Sequence, residues 1–384
     1  MTEWKTYKIG DLCDTISDSY KGCADDVVLI NTSDVLEGKC LNHTKEPNRN
    51  LKGQFKKTFK KYDILYSEIR PANKRFAYID FDATNYIAST KLMVLRHNEK
   101  IEPLYLYYIL QSQSIIDELQ MLAESRSGTF PQITFTELSR LEVKLPNRYV
   151  QCQILGILGA IDDKIENNRR INTNLELQAQ ALFDEWFVAN PSHLGAYSKA
   201  YLTDIANYLN GLAMQRFRPL EGELGIPVLK IKELGQGQCD SSSDLCSPSI
   251  EEKYIVRDGD IIFSWSGTLL VDIWCGGVCG LNQHLFKITS GKYPQWFIYY
   301  WTKHHLAKFI RIAKDKAVTM GHIKRGDLEA SEVLIPDEKS FAEIDKIMSP
   351  IFKAIVSNRI GNRQLATLRD TLLPKLMNGE IITK

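Results

Sequence analysis

The chain has 384 residues, 44% of them hydrophobic and 25% charged, with a formal net charge of +1. That size suggests two domains and that balance is ordinary for globular protein. Near-neutrality counts against a chain whose DNA affinity rests on bulk positive charge, unless its basic residues gather on one face or partners supply more. The longest apolar run, Ile154 to Ile161, is too short to span a bilayer. No basic flank and apolar core mark a signal peptide, so a cytoplasmic location is expected. The eight cysteines read as reduced thiols, because Cys239-x6-Cys246 and Cys275-x3-Cys279 lack the tight knuckle spacing of a zinc site.

In chain order, short β-rich runs ("FAYIDF" at 76–81, "KLMVL" at 91–95) lead to an aromatic-rich helix near 103–122 and a strand ending in proline, "LEVKLP" at 141–146. These features predict a first mixed domain over 1–148. A long helix is expected over 149–190. A second mixed domain over 196–338 repeats the pattern, with "IPVLKI", "GDIIFSW", "HLFKI", an aromatic-rich helix near 294–313 and "SEVLIP" at 331–336. A C-terminal helix over 339–384 completes an α+β (mixed α/β) chain of two globular domains and two long helices. Pro350 is expected at the first turn of a helix capped by Ser349.

The second half repeats the first. Between 129–184 and 319–374, fifteen of 56 aligned pairs are identical without a gap, including Pro146/Pro336, Ile161/Ile351, Asn168/Asn358, Asn172/Asn362 and Leu175/Leu365. The chain is thus two copies of one unit of about 190 residues rather than a short-period solenoid. Stepping alternately four and three residues from Ile154 meets Leu158, Ile161, Ile165, Asn168, Asn172, Leu175, Ala179, Leu182 and Trp186. The second copy gives Ile344, Met348, Ile351, Ile355, Asn358, Asn362, Leu365, Arg369, Leu372 and Leu376. This is the spacing of a coiled-coil seam, with the same two asparagines in the same frame. A buried seam asparagine fixes register if it finds a partner, so the two helices are expected to pack antiparallel on each other's asparagines. The alternative is solvent-facing asparagines on independent helices.

Basic residues suited to phosphate or base edges fall in both domains. The first has Lys56, Lys57, Lys60 and Lys61 with interleaved aromatics, then Arg70, Lys74 and Arg75, and Arg126 and Gln132 in "SRSGTFPQIT". The second has Arg216, Arg218, Lys314, Lys316, His322, Lys324 and Arg325. A solvated charged face is the competing reading of each. The aromatics Tyr105, Tyr107, Tyr108, Trp296, Phe297, Tyr299, Tyr300 and Trp301 could stack on bases, but their helical spacing favours core packing. No phosphate loop, dinucleotide fingerprint, adenine-methyltransferase Pro-Pro-aromatic motif or convincing nuclease motif is present, so no catalytic residue is assigned.

The paired units, the strand-to-proline endings, the repeated Asn-Arg phrase and the ending "LRDTLLPKLMNGEI" at 368–381 resemble the specificity subunits of type I restriction–modification systems. The likeness covers nearly the whole chain. It implies two target recognition domains, each reading half of a split DNA sequence, held by an antiparallel coiled coil. It also implies two docked DNA methyltransferase subunits and further restriction subunits. S-adenosylmethionine, ATP and Mg would belong to those partners, and the specificity chain would need no cofactor or metal of its own. A helix of about 35 residues is roughly 50 Å long, against about 34 Å for one DNA turn. Three other readings stand beside this one: the specificity chain of a related system without a translocase, a two-domain protein scaffold that never touches DNA, and an enzyme with an unrecognised site, for which Glu142/Glu332 is the only matched acidic identity in the 56-pair window.

Overall fold

The computed structural model describes residues 4–49, 53–125, 131–315 and 321–381. The chain divides into two units, residues 1–161 with 367–384, and residues 162–366.

In the first unit the strand Leu92–His97 is apolar on both faces, and each face fills a different core. Met93 and Leu95 pack with Tyr66, Tyr105 and Leu106 against the helices. Leu92 and Val94 pack with Leu65, Val28 and Ala88 against a second sheet. Period-two alternation explains this: a strand covered on both sides needs an unbroken apolar run, which "KLMVL" supplies. The middle layer has strand order 13–16, 92–97, 64–67, 76–78, all antiparallel. The outer sheet runs 46–47, 26–30, 86–89, 55–58, with one parallel pair between 26–30 and 86–89. Lys5–Lys8 pairs with Glu142–Leu145 and closes the domain onto its proline-ended strand.

The second unit repeats both four-stranded sheets and the closing pair. Its middle sheet runs 207–210, 285–289, 261–264, 270–273. Its outer sheet runs 245–246, 226–229, 279–281, 255–256, again with one parallel pair, and Tyr197–Tyr201 closes on Glu332–Pro336. Ile261 and Phe263 face the aromatic helix, while Ile262 faces Leu229 and Leu281.

The aromatic helices are core elements. Tyr105, Tyr108, Trp296, Phe297, Tyr299, Tyr300 and Trp301 are all buried, and Tyr107 is half-buried. The expected single helix of the first copy is two, Pro103–Leu110 and Gln113–Ser125, whereas the second copy has one, Gln295–Asp315. At the break the Ser112 hydroxyl donates to the Ile109 carbonyl at 2.7 Å, offering the backbone a partner other than the next helical turn.

The long helices span Arg148–Phe183 and Glu338–Met377. Matching side chains begin both. The Asn147 carboxamide accepts from Val150 N at 3.1 Å, and the Asp337 carboxylate accepts from Ser340 N at 2.8 Å. Pro350 is therefore not a helix start. The second helix begins twelve residues earlier and runs through it, because the cap at Asp337 and the buried residues flanking Pro350, Met348 and Phe352, outweigh one lost backbone bond.

Within the second unit the helices pair antiparallel through two amide layers. Asn168 Nδ2 donates to Asn362 Oδ1 at 2.8 Å, and Asn358 Nδ2 donates to Asn172 Oδ1 at 2.9 Å. Each layer also reaches backbone. Asn172 Nδ2 donates to the Ile355 carbonyl at 3.0 Å, and Asn362 Nδ2 to that of Ile165 at 3.2 Å. Asn168 and Asn172 are buried. In the first unit Ile154 and Leu158 pack in one cluster with Leu372 and Leu376.

Replacing Asn172 by alanine strands the Asn358 amide in the seam. The expected cost is about 2 kcal/mol, read as a lower unfolding midpoint. Converting Asn172 and Asn358 together to leucine should recover most of that stability, since no polar group is then left unpaired. Equal destabilisation by the single and double variants would show that the layer is not a coupled pair.

Candidate nucleic-acid interface

The basic stretch of the first domain separates by strand alternation. Phe55–Thr58 is an outer-sheet strand, and successive side chains leave on opposite faces. Lys56 is exposed. Lys57 turns inward, with Nζ donating to the carbonyls of Thr90 at 3.1 Å and Leu92 at 2.8 Å, and 3.9 Å from the Glu68 carboxylate. Burial lowers its ammonium below the ordinary lysine value, and Glu68 opposes that shift. Lys60 and Lys61 are exposed, Lys61 lying 5.1 Å from the Tyr62 ring centroid. Arg75 also works internally, its guanidinium donating to the carbonyls of Ser33 at 3.1 Å and Val35 at 3.4 Å. Lys57 and Arg75 are thus fasteners of the domain. A phosphate-facing role in this region rests on Lys56, Lys60 and Lys61.

Arg70 and Lys74 flank a short turn, Pro71–Asn73, and both have left-handed backbone, with φ of 45° and 50°. Arg70 is exposed and Lys74 half-buried. Gln132 is half-buried, with Oε1 3.4 Å from Lys91 Nζ. In the second domain Arg216 and Arg218 are exposed near the turn Met214–Arg216, and Lys314 is exposed at the end of the aromatic helix. Lys324 caps the helix Arg325–Glu329, with Arg325 3.5 Å from Glu329. His322 is exposed and bridges Ser266. Arg126 and Lys316 lie outside the described residues. Among the described residues no cluster of three or more His, Cys, Asp or Glu side chains could hold a metal ion, and no helix is long and apolar enough to cross a membrane. All eight cysteines are free thiols.

The asparagines that recur with the Asn-Arg phrase meet in the seam, but its arginines diverge. Arg169 stays near Glu166 on its own helix. Arg359 donates to Asp272 at 2.8 Å, to the Ile273 carbonyl at 3.1 Å and to Glu176 at 2.8 Å. Arg363 forks onto Asp258 with two bonds of 2.7 Å. The second helix is thereby clamped to the edge strand Leu270–Ile273 of its domain.

Comparison with known proteins agrees with this duplicated architecture. The family described as Type I restriction modification DNA specificity domain matches residues 1–177. The Type I restriction enzyme HindI specificity subunit of Haemophilus influenzae is 30% identical over 459 aligned positions, covering 99% of this chain and 100% of that one. The chain belongs to the type I restriction–modification specificity subunits. The MjaIX specificity subunit of Methanocaldococcus jannaschii is 28% identical, over 72% of this chain and 68% of its own. A crystal structure of the type I system S subunit from M. genitalium shares the fold with a TM-score of 0.58 at 16% identity, covering 98% of this chain and 96% of that one.

Several features of this specificity subunit were not singled out in sequence. Lys91 stands beside Gln132 in the first domain, and Trp265 beside His284 and His322 in the second, only through tertiary packing. The signals that could have found them are the alignment of "YDILYS" with "GDIIFS", which brings Trp265 opposite Glu68, and that of "STKLMVL" with "NQHLFKI", which brings His284 opposite Lys91.

The two faces of Phe55–Thr58 make a direct test. Lys57→Ala removes two bonds to carbonyls and should cost about 1–2 kcal/mol in denaturant unfolding. Lys56→Ala should stay within about 0.5 kcal/mol. Equal effects would mean that Lys57 is not an internal fastener.

Proposed function

We propose that each α/β domain of this DNA specificity subunit binds one half of a split DNA target. The helix pair sets the spacing and offers surfaces to two DNA methyltransferase subunits. Restriction subunits join the same assembly. S-adenosylmethionine, ATP and Mg act in those partners, and recognition is this chain's contribution. One observation carries the reading: a single chain builds the same three-layer domain twice, with identical strand order, on helices registered by paired amides. A protein scaffold would not need two copies of one domain carrying different exposed side chains. A bipartite reader does, because two different half-sequences need one docking geometry and two chemistries.

The test is a map of methylated adenines in the source genome with and without this gene. Loss of methylation at one split motif on deletion is the expected result, and that motif supplies both half-targets and the gap between them. An unchanged map in a strain with an active partner methyltransferase would overturn the reading.

Charge reversal of Lys56, Lys60 and Lys61 to glutamate should weaken DNA binding by the assembled complex across all sequences. The salt slope should fall by roughly one for each phosphate that is no longer neutralised. Wild-type affinity and slope would remove this face from the DNA interface.

A further inference from the structure

The two domains share one loop scaffold and dress it differently. In the first, Glu68 N donates to the Lys91 carbonyl at 3.0 Å, Ile133 N to that of Glu68 at 2.9 Å, and Arg70 N to that of Pro131 at 3.1 Å. Ser67 Oγ donates to the Ile69 carbonyl at 3.3 Å, and Lys91 N to Ser89 Oγ at 3.3 Å. Ile69 bridges Gln132.

Every one of these bonds has a counterpart in the second domain. Trp265 N donates to the His284 carbonyl at 3.4 Å, Ile323 N to that of Trp265 at 3.1 Å, and Gly267 N to that of Gly321 at 3.1 Å. Ser264 Oγ donates to the Ser266 carbonyl at 3.2 Å, and His284 N to Asn282 Oδ1 at 3.3 Å. Ser266 bridges His322. The second scaffold is closed further by Gly211, where an added Cβ would stand 2.2 Å from the Asn282 carbonyl oxygen.

On this common backbone, Glu68, Lys91 and Gln132 in one domain answer to Trp265, His284 and His322 in the other. None of the six is buried. The first set is charged and amide-bearing. The second is aromatic, with Trp265 6.0 Å from His284 and 6.4 Å from His322 between ring centroids. The next scaffold position is left-handed in both: Gly267 at φ 65° and Arg70 at φ 45°. Glycine adopts that conformation freely, whereas arginine is strained by it. The Arg70 side chain is exposed, and its backbone bond to Pro131 would survive in a glycine. The fold gives no reason for an arginine here, whereas its reach and forked donors do.

We propose that these matched loops are the base-reading platforms of the two domains. Arg70, Lys91 and Gln132 determine one half-target, and His284 and His322, set against Trp265, determine the other. Arginine and lysine suit the guanine edge, and glutamine suits that of adenine. This rests on the reading that each domain binds half of a split target.

The experiment maps adenine methylation written by the full complex carrying R70G, Q132A or H322A, beside wild type. R70G and Q132A are expected to relax base choice in one half of the motif, by on the order of tenfold to a hundredfold. The other half and the gap should not change. H322A should relax the opposite half. R70G should also unfold at or above the wild-type temperature, a result that damage to the fold cannot produce. Motifs unchanged by all three variants, or both halves degraded alike, would overturn the platforms while a split wild-type motif leaves the recognition reading standing. A wild type that writes no split motif overturns that reading, and this proposal with it.

Discussion

Two layers of paired amides fix the alignment of the long helices. A seam of leucine and isoleucine alone tolerates sliding by a heptad, because one apolar layer resembles the next. Sliding here would part Asn168 from Asn362 and Asn172 from Asn358 and bury their amides without partners. The bonds to the Ile165 and Ile355 carbonyls make one asparagine of each layer, Asn362 and Asn172, more costly to displace. Specificity of register has a local cost: Asn168 Oδ1 is buried without a hydrogen-bond partner.

From that alignment the attachments follow. In the first unit, Gln151 near the start of its helix is buried, donating to the Pro146 carbonyl at 2.9 Å and accepting from Glu102 N at 2.9 Å. Ion pairs add to this in both units, Arg148 with Glu102 in the first, and Arg359 with Asp272 and Arg363 with Asp258 in the second. Duplication kept the seam and let the fastenings diverge, which is why the repeated phrase agrees between the copies at its asparagines and not in what its arginines touch.

Much of this was legible in the residues. The seam, the proline-ended strands and the aromatic cores follow from periodicity, and periodicity is a local property. Pro350 misled because a proline read alone signals a helix start, and only packing on both sides of it shows a helix continuing through. The break at Ser112 depends on one side-chain bond that spacing does not reveal. Among the candidate DNA-facing residues, alternation along Phe55–Thr58 could have turned Lys57 inward on paper. The donation of Arg75 to Ser33 and Val35 could not have been seen, since those carbonyls lie about forty residues away in sequence.

The near-zero net charge also takes on a structural meaning. Many cations neutralise partners within their own unit: Arg96 forks onto Asp63 with bonds of 2.8 and 2.7 Å, and Lys287 sits 2.7 Å from Asp260. Lys57, Arg75, Arg359 and Arg363 add bonds to main-chain carbonyls. Formal charge therefore counts fasteners along with whatever faces a polyanion. A protein whose task is to discriminate sequences gains little from more bulk charge, because phosphate attraction raises right and wrong sites together. Discrimination needs a few donors held at fixed positions. The fold supplies such positions by committing Lys57, Arg75, Arg359 and Arg363 to rigidity and by holding exposed side chains such as Arg70 on well-bonded loops.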